Sequence, residues 1–125
     1  MADLLLVEND PRILELMTFF LERAGHRVRT ARSFADARAR IRERAPDLLL
    51  SDLEMGLESG REELPRIARE DGLPPTLVVS GYVDREAAAA LANLAGIVGV
   101  LSKPFDMARL VAKVGECLAH TGGRA

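Results

Sequence analysis

Four short apolar runs, each stopped by polar residues and each followed by a longer amphipathic stretch, leave this chain few folds. Leu4 to Val7 stops at Glu8-Asn9-Asp10-Pro11, Leu48 to Ser51 at Asp52, Thr76 to Val79 at Ser80-Gly81, and Val98 to Leu101 at Ser102-Lys103-Pro104. A fifth segment, His26 to Ala31, alternates around Val28. A run without alternation must be buried on both faces, as happens to a strand in a parallel sheet with helices above and below. Helix signals fill the gaps. Asp10 is an N-cap with Pro11 in the first turn, and Ile13, Met17, Phe20 and Ala24 recur at helical spacing up to Gly25. Ser33 caps a helix to about Arg44, a third helix covers about Glu62 to Arg69, Asp84 caps an Ala-rich one to about Ala95, and Asp106 caps the last to about Leu118. The alternation predicts an α/β fold: one doubly wound, five-stranded parallel sheet flanked by five helices, with right-handed crossovers. Residues 1–120 are expected to form a single domain and residues 121–125 a polar tail.

Composition narrows the function. The 125 residues carry 17 basic and 19 acidic side chains, a net charge of −2 that offers nucleic acid or a membrane surface no basic face. One cysteine, Cys117, excludes an internal disulfide framework and a Cys-rich zinc site, and His26 and His120 are too few for a multi-histidine centre. No apolar run nears the roughly 20 residues that span a bilayer. Met-Ala-Asp lacks the basic start of a signal peptide, so a cytoplasmic setting is expected.

In an open parallel sheet, ligands bind beyond the carboxyl ends of the strands, where the strand order reverses. The polar residues there are Glu8, Asn9 and Asp10, then Asp52, Ser80 and Lys103. Two carboxylates at adjacent strand ends raise each other's proton affinity unless a cation neutralises them. Mg2+ suits such oxygen ligands and bridges to phosphate. A carboxylate beside a metal, a lysine and a hydroxyl is chemically suited to accept a phosphoryl group.

The motifs Leu-Val-Glu-Asn-Asp-Pro, Pro46-Asp47-Leu48-Leu49-Leu50-Ser51-Asp52, Val78-Val79-Ser80-Gly81 and Lys103-Pro104-Phe105 closely resemble, in this order and spacing, the receiver domain of two-component response regulators. The resemblance spans Leu4 to about Leu118. It implies a flavodoxin-like sheet of order 2-1-3-4-5. It also implies transfer of a phosphoryl group from a phosphohistidine to an Asp with Mg2+, followed by altered partner affinity. By position, Asp52 corresponds to the phosphoacceptor, Glu8 and Asn9 to the acidic pair of the metal site, and Glu54 to the residue whose backbone carbonyl ligates the metal. Ser80 corresponds to the phosphoryl-binding hydroxyl and Lys103 to the phosphate-contacting lysine, whose bond to Pro104 is usually cis. Glu54 and Tyr82 occupy positions that tune dephosphorylation, with Tyr82 expected to slow the attacking water. The partners implied are a histidine kinase or histidine phosphotransfer protein and an unidentified output protein. The chain itself is expected to be a monomer or weak dimer, a phosphoacceptor and not a turnover enzyme, without an output domain.

Three departures stand out. Asn9 replaces an Asp, so it brings no charge to the metal, and the long side chain of Glu54 is a candidate to compensate. Val100 stands at the switch position in place of an aromatic. Gly56 and Ser59 replace a Pro and an acid, which suggests a looser loop. Asn9 and Val100 support an alternative, a pseudo-receiver acting as a phosphorylation-independent interaction module. A flavodoxin-like enzyme would need a Gly-rich phosphate loop, which Glu8-Asn9-Asp10-Pro11 is not. The arginines between Arg38 and Arg44 are expected on a solvated helix face. For Phe19, core packing and a partner contact remain equal readings.

Overall fold

The structure is a computed structural model, and it describes residues 2–81 and 85–122. Five parallel strands form the sheet: β1 (Asp3–Val7), β2 (Arg27–Ala31), β3 (Leu48–Asp52), β6 (Thr76–Ser80) and β7 (Ile97–Ser102). Two further short strands, β4 (Glu54–Met55) and β5 (Glu58–Ser59), pair antiparallel as a separate hairpin. The sheet order is β2-β1-β3-β6-β7, which is 2-1-3-4-5 for the five long strands. The helices are α1 (Pro11–Arg23), α2 (Phe34–Glu43), α3 (Gly60–Glu70), α4 (Arg85–Leu91) and α5 (Met107–Gly122).

The unbroken apolar runs are explained by the layers on either side. Side chains of a strand alternate between faces. Leu4, Leu6, Leu48, Leu50, Leu77 and Leu101 pack with Leu14, Met17 and Leu21 of α1 and Leu110, Val114 and Cys117 of α5. Leu5, Val7, Leu49 and Val78 point the other way, into Phe34, Ala37 and Ile41 of α2, Leu64 and Ile67 of α3, and Ala88 and Leu91 of α4.

Two helix ends differ from the sequence reading. α4 stops at Leu91 and not near Ala95: Ala92 N–H still bonds the Ala88 carbonyl, but the amides of Asn93 and Leu94 bond three residues back (Leu94 N–H to the Leu91 carbonyl, 2.8 Å) and tighten the chain into turns around Asn93, a poor helix former. α5 runs past Leu118 to Gly122, since no proline interrupts it and the single glycine inside it, Gly115, is tolerated in a helix whose other residues are mostly good formers. The capping role given to Asp84 lies outside the described residues. The arginines of α2 do more than face solvent. Arg38 bonds Asp71 and Glu70 at 2.8 and 2.6 Å, and Arg42 bonds Asp71 at 2.8 Å, clamping α2 to the end of α3. Phe19 is 52% exposed, edge-on to Phe20 and beneath Arg23, and so is not a core residue.

Candidate functional site

Register brings the site together. Val7 of β1 lies opposite Ser51 of β3, so the next residues, Glu8 and Asp52, sit at the adjacent carboxyl ends of the two strands. These flank the point where the strand order reverses. Asp52 pairs with Val79 of β6, one residue before Ser80, and Ser80 pairs with Ser102 of β7, one residue before Lys103. Backbone bonds extend the strands past their last residues: Glu8 N–H donates to the Ala31 carbonyl (3.1 Å), and Lys103 N–H to the Ser80 carbonyl (2.8 Å). The Lys103–Pro104 peptide is cis.

The side chains converge on Asp52. Lys103 Nζ donates to its Oδ2 at 2.9 Å, and Glu54 N–H donates to its Oδ1 at 3.1 Å. Glu8 and Asp52 are each only 5% exposed, and Ser80 is buried beside them at the end of β6. Burial pushes the Glu8 carboxyl up to about 7; a hydrogen bond and charge repulsion from Asp52 add to this, while the Asp10 amide and Lys103 oppose it. The Asp10 N–H reaches Glu8 Oε1 at 3.1 Å. The Asp10 side chain is used elsewhere, capping α1 by accepting from Arg12 N–H at 2.9 Å. Burial depresses the Lys103 ammonium, but Asp52, Glu8 and Glu54 together outweigh it and hold Lys103 more firmly charged than usual.

Asn9 is exposed, and its Nδ2 lies 3.4 Å from the point a Cβ on Gly56 would occupy. Val100 lies half-buried in β7 against the α2/α3/α4 core. Tyr82 lies outside the described residues. The donor set suits a hard cation: two buried carboxylates pressed together, one of them driven to hold a proton. The candidates to hold Mg2+ are Asp52, Glu8 or Asn9, and the Glu54 carbonyl.

The β4–β5 hairpin escaped the sequence reading, which expected a loose loop. Gly56 (φ +72°) and Leu57 form its two-residue turn, with positive φ at the first central position as a type II′ turn requires. Glu58 Oε1 accepts from Phe34 N–H at 2.9 Å, tying the hairpin to the start of α2. The chain then folds back so closely that a Cβ on Gly60 would stand 2.9 Å from Leu53 Cδ2. The one local signal was the glycine between two acidic residues.

The chain is thus an open, doubly wound α/β domain with an acid pair and a lysine at its switch point. This chain belongs to the response regulator receiver domain family of two-component systems, whose model it matches over residues 4–115. It is 37% identical over 111 residues to the nitrogen assimilation regulatory protein NtrX of Azorhizobium caulinodans, covering 87% of this chain and 24% of that protein. It is 31% identical over 120 residues to the transcriptional regulatory protein ZraR of Klebsiella oxytoca, covering 96% of this chain and 27% of that protein. The chain thus spans about a quarter of the length of these curated relatives. The crystal structure of NtrX from Brucella abortus superposes with a TM-score of 0.87 at 29% identity, over 98% of this chain and 28% of that one. Among the described residues, no helix is long and apolar enough to cross a membrane.

Proposed function

We propose that the chain accepts a phosphoryl group on Asp52 from the phosphohistidine of a histidine kinase or histidine phosphotransfer protein, and that this changes its affinity for an output partner. The observation that carries the reading is the 2.9 Å bond from Lys103 to a buried Asp52 beside Glu8. A carboxylate oxygen of Asp52 attacks phosphorus, the P–N bond to the histidine breaks, and a P–O bond forms. Lys103 offsets charge on the phosphoryl oxygens, and Ser80 donates its hydroxyl to one of them. Mg2+, when bound, neutralises both the acid pair and the incoming group. Its holders are Asp52, the Glu54 carbonyl and Glu8 or Asn9. Glu54 and Tyr82, at positions that tune the attack of water on the acyl phosphate in the family, set its lifetime. Val100 cannot make the rotation of an aromatic switch, so the signal leaves through the loops after β3 and β6.

A phosphorylation-independent interaction module is the second reading, favoured by the uncharged, solvent-exposed Asn9. Incubation with acetyl phosphate and MgCl2, followed by mass spectrometry, separates the two. We expect the mass of one added phosphoryl group in the native protein and none in Asp52→Ala. No adduct at saturating MgCl2 supports the second reading.

A further inference from the structure

We infer that the side-chain carboxylate of Glu54 supplies the cation site with the negative charge that Asn9 withholds. This rests on the reading of Asp52 as phosphoacceptor and adds a positioning residue to it. A site for a divalent ion gains affinity with each charged oxygen ligand, so an amide in place of a carboxylate weakens it. The structure offers a replacement next to Asp52. In β4 the side chains alternate, so that Met55 enters the core and Glu54 turns out to solvent. The Glu54 amide is bonded to Asp52 Oδ1 at 3.1 Å, which anchors the root of this side chain to the acid itself. Its β5 partner in register is Ser59, an uncharged residue that does not compete for the carboxylate.

The departures at 9 and 56 belong together. Asn9 lies across the hairpin turn, its Nδ2 at 3.4 Å from the Cβ position of Gly56. Gly56, at φ +72°, makes the tight turn that sets Glu54 opposite Ser59 and Met55 opposite Glu58. The hairpin whose turn lies beside the Asn9 side chain is therefore the one that carries Glu54, next to Asp52. Among the described residues, no three acidic side chains are gathered into a ready metal cluster. Glu54 must rotate inward as the ion arrives, which an exposed side chain does in nanoseconds.

A double-mutant cycle tests this. MgCl2 is titrated into the native protein, Glu54→Gln, Asn9→Asp and the double variant, following backbone amide chemical shifts around Asp52 and Lys103. Asn9→Asp should tighten Mg2+ binding. Glu54→Gln should weaken it roughly tenfold in the native background and less than about threefold in the Asn9→Asp background. Glu62→Gln, a like change in the exposed first turn of α3, should leave affinity unchanged. Equal losses in both backgrounds, or no loss in either, overturn the proposal. So does a native protein that binds no Mg2+ while Asn9→Asp binds it. Acetyl phosphate labelling of the native protein in the same buffer keeps the two readings apart: an adduct alongside an unaffected Glu54→Gln titration sinks Glu54 alone, whereas no adduct and no Mg2+ binding in any variant sinks both.

Discussion

Glu8 is the residue on which fold and chemistry pull hardest against each other. It is buried at the end of β1, held by the Asp10 amide and pressed against Asp52, with Lys103 as the nearby cation that relieves it. In the unfolded chain its carboxyl ionises near 4.5, and in the fold near 7. Between those values the folded state holds a proton that the unfolded state has released, so stability falls as pH rises. The contribution is complete below about pH 4.5 and gone above about pH 7, and it amounts to roughly 3 kcal/mol. His26 acts in the opposite sense, because burial lowers its affinity for a proton. The measurement is therefore a difference: urea unfolding of the metal-free protein and of Glu8→Gln from pH 4.5 to 8. The gap between them should open with rising pH in favour of Glu8→Gln, and a gap independent of pH refutes the assignment. Glu8, Asp52, Ser80 and Lys103 were legible in the sequence because each lies at the polar stop of an apolar run. Their contacts were not, since Lys103 and Asp52 are 51 positions apart and only the strand register joins them.

At the scale of elements, the strands were readable because their composition allows one environment. Leu48-Leu49-Leu50 has no polar face to offer water, so it lies between two helical layers. The end of α4 was hard to read, because alanines favour helix as far as Ala92 and the only local signal for the turns that follow is Asn93, a weak breaker. The β4–β5 hairpin was hidden because its strands are two residues long, too short for alternation to register. It nevertheless joins three parts of the molecule: Asp52 through Glu54, the core through Met55, and α2 through Glu58. Ser33 already caps α2 by accepting from Asp36 N–H at 3.0 Å, and Glu58 satisfies the amide of the first residue, Phe34. Removing that acceptor exposes an orphan amide at the positive end of a helix. Glu58→Ala should cost about 1 kcal/mol in urea unfolding, and Glu58→Gln, which keeps the acceptor oxygen, about half as much. Identical losses would mean that charge alone mattered, and no loss would mean that the hairpin does not hold the helix.

Across the whole molecule, the sheet separates what holds the chain together from what it does. The two hydrophobic layers are complete without the carboxyl edge, where the fold brings buried acids together and gains no apolar contact from doing so. Strain of this kind is expected at sites meant to bind something. A ligand that binds the folded state alone returns stability in proportion to RT ln(1 + [L]/Kd). At ten times its Kd, Mg2+ should thus stabilise the native protein by about 1.4 kcal/mol, or roughly 3–6 °C in melting temperature for a chain of this size, and EDTA should reverse the gain. Two variants show whether the gain belongs to the edge. Asp52→Ala should abolish it. Val114→Ala, on the face of α5 that is fully buried against the opposite layer, should lower the melting temperature through a loss of roughly 2 kcal/mol yet keep the Mg2+ increment intact. If the increment instead shrank in step with core stability, site and core would be one cooperative unit, and the acids would be held by packing that the ion itself completes.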